Sequence, residues 1–256
     1  MATDRHAADD WAGFHGGFLG PGSMVPSIAT VLAGISLLIL SGCSGPYSTL
    51  DPASQSAREV AIIWWWMFAV SVQVLLGVVA LWLYAMFRPQ RHFSQPRAQR
   101  IQNQWVIWGG LVLPTVAIIP LLVFGLPVGH RMLPLPLEEG EPVTIQVTGH
   151  QWWWQVRYPQ QGIELQDEMH LPAGVPVDIE LTSADVIHSF WVPRLGRKLD
   201  AIPAYHHVLR LQADEPGVYY GQCAEFCGFG HAHMLITVHV HSLEDYNAWL
   251  EEVGDE

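Results

Sequence analysis

Four residues with metal-binding side chains lie within twelve positions of one another in the C-terminal part of the chain. Cys223 and Cys227 are four residues apart, His231 follows four residues later, and Met234 follows three residues after that. Thiolate, imidazole and thioether together form the donor set that copper prefers. A mononuclear blue-copper site uses a single cysteine, so the second thiolate suggests two sulfur atoms that bridge two copper ions. Each ion would then be completed by its own histidine.

The same residues allow an alternative interpretation. Cys223 and Cys227 could form a disulfide, or remain buried thiols, with His231 and Met234 as bystanders. Spacing alone does not fix cysteine pairing. The H-x2-M pattern that completes the segment favours a metal site over a disulfide.

The composition indicates a membrane part and an acidic second part. The chain has 256 residues, 50% of them hydrophobic, with twelve tryptophans and a net charge of −12. From Leu137 onward there are 19 Asp and Glu and 5 Lys and Arg, a balance of 5 − 19 = −14. This acidity argues against nucleic acid as a partner and favours a cationic partner, although ordinary solubility would also explain it.

The N-terminal region has the features of an export signal. Val25–Leu40 is an apolar run of signal-peptide length, too short to span a bilayer comfortably. It ends in Leu40-Ser41-Gly42-Cys43, which resembles a bacterial lipobox and predicts lipidation of Cys43, with Met24 as a candidate start. The usual positive flank is missing, since no Lys or Arg lies between Met24 and Cys43. The alternatives are an ordinary cleaved signal or a third membrane anchor.

Two longer apolar segments predict a transmembrane hairpin. Val60–Phe87 has 28 residues without a charge and Trp105–Val128 has 24, and each can cross ~30 Å of hydrocarbon as a helix. The connecting segment carries positive charges and no acidic residue: Arg88, Arg91, Arg97 and Arg100. Positive loops stay in the cytoplasm, so both ends of the hairpin should lie on the outer face.

Beyond Pro134 the hydrophobic pattern alternates with a period of two. Val143, Ile145 and Val147 alternate with polar residues, and similar runs recur toward the C-terminus. Short strands with turn signals between them predict a β-sandwich or Greek-key barrel. Ser242, with Asp245 three residues later, predicts the start of a closing helix whose inner face includes Leu243, Tyr246 and Leu250.

From about Gly45 to Val240 the chain resembles subunit II of cytochrome c oxidases of the haem–copper oxidase superfamily. The resemblance rests on GPYSTLDPA, the helical hairpin, GHQWWWQVRYP, SADVIHSFWVP, KLDAIP and, most specifically, GQCAEFCGFGHAHM. It implies a membrane-anchored all-β protein, in which a two-helix transmembrane hairpin precedes a cupredoxin-like Greek-key β-barrel with a binuclear copper centre, CuA. The location implied is the bacterial inner membrane, with the copper domain on the periplasmic face.

The expected organisation has five parts. Residues 1–42 form a signal peptide and 43–59 an exported N-terminal segment. Residues 60–136 form the hairpin, 137–241 the cupredoxin-like copper domain, and 242–256 a C-terminal helix and tail.

The resemblance also assigns roles to single residues. Cys223 and Cys227 would bridge the two copper ions. One ion would also bind His188 and Met234, and the other His231 and the backbone carbonyl of Glu225.

Further roles follow from the same resemblance. The Glu225 carboxylate would help to hold a magnesium ion shared with subunit I, and Trp152 would receive the electron from cytochrome c. An acidic docking face would comprise Asp185, Asp167, Glu168 and Asp178. The remaining histidines are expected to be solvated or uninvolved: His206, His207, His233, His239 and His241.

Three classes of function agree with these features. The first is the electron-receiving subunit of a proton-translocating terminal oxidase, with subunit I, other oxidase subunits, cytochrome c and the lipid bilayer as partners. The second is a quinol oxidase subunit II, which keeps the fold but lacks the copper ligands. The third is a membrane-anchored protein that stores or delivers copper. All six ligand positions are filled, and a distant His188 suits permanent retention, so the first class is favoured.

Overall fold

The structure is a computed structural model that describes residue 27 and residues 44–89, 94–137 and 140–254. The expected signal peptide and the lipidation site at Cys43 lie outside the described residues. Arg91 of the expected cytoplasmic loop also lies outside them.

The first long helix, α1, spans Gln55–Phe87. The hydroxyl of Ser54 accepts a hydrogen bond from the backbone N–H of Ala57 at 3.0 Å, which caps the first turn. The helix therefore begins before the apolar run, and its first turns include Arg58 and Glu59. These charged residues form ion pairs at this end of the helix, Arg58 with Asp214 and Glu59 with Arg131.

The second long helix is continuous but not uniform. It comprises α2 (Gln95–Trp105), a π-helical segment (Val106–Val112) and α3 (Leu113–Arg131). The π-helical segment contains Gly109 and Gly110, and α3 continues through Pro120 and Pro127. By length and composition, both this helix and α1 are long and apolar enough to cross a membrane.

Within the described residues, ten strands follow the helices and form two five-stranded sheets. The strands are β1 (Val143–His150), β2 (Trp153–Tyr158), β3 (Ile163–Gln166), β4 (Glu168–Pro172), β5 (Val177–Ser183), β6 (His188–Trp191), β7 (Leu199–Ala201), β8 (His207–Leu211), β9 (Gly217–Cys223) and β10 (Leu235–His241). The orders are β3-β2-β1-β5-β8 and β4-β10-β9-β6-β7. The β1–β5 and β4–β10 pairs are parallel, and the other pairs are antiparallel.

The alternating side chains of both sheets form one core between them. In β1, Ile145 and Val147 are fully buried, while the neighbouring Thr144 and Gln146 are only partly covered. This is the burial that a period-two pattern predicts for strands with one face inward. The core extends to Cys223, Cys227 and Met234, so the three sulfur-containing side chains of the predicted copper site are part of the packed interior.

A C-terminal helix, α4 (Leu243–Gly254), packs on β4 and β10. Its inward residues are Tyr246, Trp249, Leu250 and Val253, whereas Leu243 is 54% exposed. The prediction that Leu243 faces inward was therefore wrong. The apolar stripe starts one turn later, and its most buried residue is Tyr246, which is 3% exposed.

The segment before α1 is hydrogen-bonded to the β-domain. The backbone N–H of Ala53 donates to the carbonyl of Arg194 at 2.8 Å, and the Ser54 hydroxyl donates to the carbonyl of Leu195 at 2.7 Å. The Asp214 N–H donates to the Ala53 carbonyl at 3.1 Å. These bonds hold the start of the helical hairpin against the domain.

Candidate metal centre

Three neighbouring strands bring the metal-binding side chains together. His188 is the first residue of β6, Cys223 is the last residue of β9, and Met234 directly precedes β10. β9 pairs with both of the other strands, which places Phe190 opposite Cys223 and Leu235 opposite Gln222. This pairing explains how a histidine 35 residues before Cys223 reaches the loop that carries Cys227 and His231.

The donor atoms lie close together. Cys223 Sγ is 3.9 Å from Cys227 Sγ and 3.9 Å from His188 Nδ1. Cys227 Sγ is 3.7 Å from His231 Nδ1 and 3.9 Å from Met234 Sδ. The structure thus brings together all five of the side chains predicted to bind copper.

These distances suit shared metal ions and not a disulfide. A disulfide bond joins its sulfur atoms at about 2.05 Å, whereas both cysteines here are free and buried. Two sulfur ligands placed tetrahedrally about one metal at about 2.3 Å would lie ~3.8 Å apart. The donor set of two thiols, two imidazoles and a thioether is the one that copper selects, so the residues fit the group that the sequence predicts.

The sixth predicted donor is a backbone oxygen. The carbonyl oxygen of Glu225 lies 3.2 Å from Cys223 Sγ. The Glu225 side chain is exposed, which leaves its carboxylate available to a second group. The two predicted roles of Glu225 therefore use different atoms.

His188 is held from three sides. Its Nε2 lies 2.8 Å from Asp185 Oδ1, and its ring contacts the edge of Trp154 with centroids 5.9 Å apart. A Cβ on Gly149 would approach the His188 ring to 2.8 Å, so only glycine fits beside it. Because Asp185 binds Nε2, the Nδ1 atom of His188 is left facing Cys223.

The same contacts shift the acidity of these groups. Burial raises the pKa of the Cys223 thiol, but the hydrogen bond with His188 and backbone N–H groups outweighs it, so the net shift is downward. Burial and the neighbouring Cys223 raise the pKa of Cys227. Burial lowers the pKa of His188, but hydrogen bonds to Cys223 and Asp185 outweigh the effect of burial, so the net shift of this pKa is upward. Cys223 is therefore the first of the two thiols to become a thiolate, the form that binds metals.

Trp152 packs directly on the cysteine loop. Its indole Nε1 donates to the carbonyl oxygen of Cys227 at 3.2 Å, and 39% of the residue remains exposed. A Cβ on Gly230 would approach the indole to 2.4 Å, so the ring lies flat on this glycine. The preceding Gln151 donates its side-chain amide to the same Cys227 carbonyl at 2.8 Å and its backbone N–H to Asp185 at 2.6 Å.

The sequence did not predict the roles of Gln151, Gly149 and Gly230. For Gly230 a sequence signal existed, because glycines at 228 and 230 flank a phenylalanine. Glycine often marks a place where the backbone closely approaches another group, which here is an aromatic ring. Gly149 and Gln151 belong to the GHQWWWQVRYP motif, but the motif does not indicate their partners, which lie 39 and 76 residues away in the chain.

The four acidic residues predicted to form a docking face do not share one surface. Asp185 lies beside the metal-binding residues, and Asp167 accepts a hydrogen bond from the Trp154 N–H at 2.7 Å, near Trp152 in the chain. Asp178 lies at the other end of β5 from Ser183, in an ion pair with Arg210 at 2.6 Å. The charge of Asp178 is thus paired with Arg210, and its docking role stays a prediction.

Glu168, the fourth of these acidic residues, belongs to a histidine cluster that the sequence did not predict. Its Oε1 lies 3.1 Å from His170 Nε2 and 3.3 Å from His239 Nε2. His170 also contacts His241, with Nδ1 and Nε2 2.8 Å apart. The expectation that His239 and His241 are simply solvated was wrong, because β4 pairs with β10 and α4 covers both strands.

Comparison with known proteins identifies the family. Residues 160–241 match the family described as cytochrome c oxidase subunit II, periplasmic domain. The chain is 33% identical over 233 residues to cytochrome c oxidase subunit 2 of Alkalihalophilus pseudofirmus, covering 86% of this chain and 66% of the relative. It is 30% identical to cytochrome c oxidase subunit 2 of Cereibacter sphaeroides, covering 78% of each chain.

The chain is also similar to a quinol oxidase subunit and to a solved periplasmic domain. The chain is also 30% identical to quinol oxidase subunit 2 of Bacillus cereus, covering 88% of this chain and 79% of the relative. The crystal structure of the periplasmic domain of subunit II of cytochrome oxidase from Bradyrhizobium japonicum is similar with a TM-score of 0.44 and 32% identity, covering 46% of this chain and 98% of that domain. The identity of 30% to subunit 2 of both cytochrome c and quinol oxidases, over more than three quarters of each chain, leads to one conclusion: the chain belongs to the subunit II family of the haem–copper oxidases.

Proposed function

We propose that this chain is the electron-receiving subunit of a cytochrome c oxidase. In this role it accepts electrons from cytochrome c and passes them to subunit I, where oxygen is reduced to water with proton translocation. The observation that carries the proposal is the convergence of two thiols, two imidazoles and a thioether. The donor atom of each lies no more than 3.9 Å from the donor atom of a neighbour. Overall identity does not separate the cytochrome c and quinol oxidase relatives, since both lie at 30–33%.

The proposed ligand set uses the atoms that face one another. Cys223 and Cys227 would bridge two copper ions, with His188 and Met234 on one ion and His231 on the other. The carbonyl oxygen of Glu225 would complete the second ion. When bound, such a binuclear centre supplies one-electron chemistry with little change in ligand geometry.

The protein's own contribution is to keep water away from four of the five proposed ligand side chains. His188 and Met234 are fully buried, and Cys223 and Cys227 are 5% and 4% exposed. A rigid, dry site suits repeated electron transfer, because ligands that do not move need no rearrangement. It suits a storage or delivery protein poorly, since exchange of the metal requires accessible ligands.

Trp152 is the proposed point of electron arrival. The residue is partly exposed, and its indole N–H donates a hydrogen bond to the backbone carbonyl of Cys227. A donor docked over Trp152 would thus contact a ring bonded to a proposed copper ligand. Asp167 and Asp185 lie near this residue and are the proposed acidic docking groups.

A magnesium ion at the border with subunit I is a further part of the proposal. The exposed Glu225 carboxylate would be its ligand from this chain. Oxygen ligands of this kind are those that magnesium prefers. The ion would lie next to the proposed copper site, because Glu225 also supplies the carbonyl.

The proposed location is the bacterial inner membrane, with the β-domain on the periplasmic face. The two apolar helices provide the anchor, and the arginines of the segment between them set the orientation. Lipidation of Cys43 after removal of residues 1–42 would add a second anchor.

The experiment that tests the proposed function is turnover of the purified oxidase complex. Reduced cytochrome c and a quinol are supplied in turn, and oxygen consumption is recorded. The proposal expects oxidation of cytochrome c that is lost when Cys227 is replaced by serine. Turnover with quinol alone would assign the chain to the quinol oxidases.

A further inference from the structure

A cavity of about 480 Å³ lies where the two long helices meet the β-domain. The start of α1 contributes Glu59 to its wall, and the end of α3 contributes Arg131. The β-domain contributes Arg197 and Arg210. The cavity shares no residue with the proposed copper centre.

The cavity lies close to the ends of both apolar runs. Glu59 directly precedes the run of α1, and Arg131 follows by three residues the run that ends at Val128. Three residues of helix rise about 4.5 Å. The polar head groups of a bilayer occupy roughly 5–8 Å on each side of the hydrocarbon. In the proposed membrane arrangement, the cavity is therefore at the depth of the lipid head groups, on the side of the β-domain.

Arg197 carries a positive charge that no described residue compensates. Its Nε atom is buried and has no hydrogen-bond partner among the described residues. The ion pairs formed by the other arginines of the described chain do not include it. Buried donors are normally paired, and an arginine cannot lose its charge. A charged donor of this kind on a cavity wall indicates that the cavity binds an acceptor.

The other charged residues of the wall are already compensated. Arg131 pairs with Glu59 at 3.0 Å, and Arg210 pairs with Asp178 through two contacts of 2.6 and 2.7 Å. The cavity therefore keeps one net positive charge, which a single phosphodiester group with its one negative charge would neutralise. A guanidinium has five N–H donors, so Arg131 and Arg210 keep donors beyond those used in their ion pairs.

The backbone next to Arg197 is held in place. The carbonyl of Leu195 accepts a hydrogen bond from the Ser54 hydroxyl at 2.7 Å, and the carbonyl of Gly196 accepts one from Trp191 Nε1 at 3.1 Å. A group presented from a fixed backbone loses less conformational freedom when it binds a ligand.

We propose that this cavity binds the phosphodiester group of a membrane phospholipid, with Arg197 as the main ligand. Arginine forms paired, charge-assisted hydrogen bonds with phosphate oxygens. Met132, Pro136 and Leu137 also line the cavity and suit the glycerol and first acyl carbons beside the phosphate. Inorganic phosphate offers the same charge without these apolar contacts. The proposal rests on the proposed membrane anchorage and is independent of the copper centre.

The test is a lipid titration of the full-length chain, purified in a neutral detergent and freed of lipid. Phosphatidylglycerol is the probe, because its phosphate carries its only charge, and native mass spectrometry counts the bound lipid. One tightly bound lipid per chain is expected. Arg197→Gln should weaken this binding roughly tenfold or more, because a hydrogen bond to a charged group is lost. Inorganic phosphate, titrated in parallel, should bind more weakly than the lipid.

The matched control is Arg157→Gln, which removes the same side chain from β2, outside the cavity, and should leave lipid binding unchanged. Arg197→Lys keeps the charge but not the paired donors, so it should weaken binding by a smaller factor. This variant keeps the test valid should Arg197→Gln fail to fold.

Two results would overturn the proposal. One is a wild-type chain that binds phosphatidylglycerol no more tightly than the Arg197 variants, or does not bind it at all. The other is a site that takes inorganic phosphate at least as tightly as the lipid, which would assign the cavity to the free anion. Neither readout involves cytochrome c or copper, so failure here is distinguishable from failure of the proposed function.

Discussion

The indole Nε1 of Trp152 donates a hydrogen bond to the carbonyl oxygen of Cys227, 3.2 Å away. A half-exposed aromatic ring is thereby connected to the backbone of a residue whose thiol lies 3.9 Å from that of Cys223. The ring also rests on Gly230, where any side chain would collide with it. The partly exposed Trp152 thus contacts the loop of the proposed metal centre through one hydrogen bond to Cys227 and through packing on Gly230.

This connection predicts that Trp152→Phe slows electron transfer from cytochrome c. Phenylalanine keeps an aromatic ring on Gly230 but cannot donate to the Cys227 carbonyl. The rate of electron arrival, measured by rapid mixing with reduced cytochrome c, should fall several-fold while binding affinity changes little. Trp153→Phe is the matched control, because Trp153 stacks on His150 instead. Equal effects of the two substitutions would contradict a special role for Trp152.

A second prediction concerns Asp185 and revises the expectation from sequence. As a docking residue only, Asp185→Asn would leave copper content intact. The structure shows its carboxylate 2.8 Å from His188 Nε2, so the substitution should also weaken the hold on a proposed ligand. Loss of such a supporting group lowers metal affinity by roughly 10–100-fold. Copper retention against a chelator measures this effect.

Asp178→Asn is the control for Asp185→Asn. It removes the same charge from the domain, but its partner is Arg210 and not a proposed ligand. Its copper retention should equal that of the wild type. If both variants retain copper as the wild type does, Asp185 does not support His188.

The charge of the domain predicts a dependence on salt. The balance of −14 from Leu137 onward should attract a basic cytochrome c over long range, which sets the association rate more than the affinity. The Debye length shrinks from ~30 Å at 0.01 M salt to ~10 Å at 0.1 M. Oxidation of cytochrome c by the complex should therefore slow as salt rises. A rate indifferent to salt would count against electrostatic docking.

Tyr246 predicts loss of stability at high pH. Burial raises its pKa to about 12, above the value of about 10 in an unfolded chain. The neutral phenol therefore favours the folded state, and its contribution is fully present below pH ~10 and lost as pH rises from about 10 to about 12. A pKa shift of this size corresponds to roughly 2.7 kcal/mol in the free energy of unfolding.

The thermal midpoint of the purified chain across this pH range measures the effect. Tyr246→Phe should flatten the decline, and Tyr220→Phe, at a residue 39% exposed, should not. Equal slopes for wild type and Tyr246→Phe would show that the buried phenol is not responsible.

Most of the side chains proposed to bind copper could be picked out from the sequence, because they are close together in the chain. Cys223, Cys227, His231 and Met234 lie within one loop and its strand ends, so their spacing alone indicates chemistry. His188 was found through the family resemblance, and the β6–β9 pairing explains its position. The alternating strands were also visible, since one face of each sheet is buried.

The remaining features depend on which strands become neighbours. His239 and His241 occupy the outward face of β10, and the period-two pattern correctly places them there. Their contact with His170 arises because β4 pairs in parallel with β10, although 69 residues separate His170 and His239. A single sequence does not indicate such pairing. The helix start at Gln55 was missed for a different reason, because Ser54 caps the helix before the apolar run begins.

The central claim is a binuclear copper centre held by two bridging thiolates, and a metal count with an EPR spectrum tests it most directly. The full-length chain is loaded with copper, freed of loosely held metal and its copper content is counted. Two copper ions per chain and one unpaired electron shared between two equivalent nuclei are predicted. Cys223→Ser or Cys227→Ser should abolish this spectrum, because one thiolate cannot bridge as two do. A single copper ion with a mononuclear spectrum in the chain with both cysteines would contradict the account.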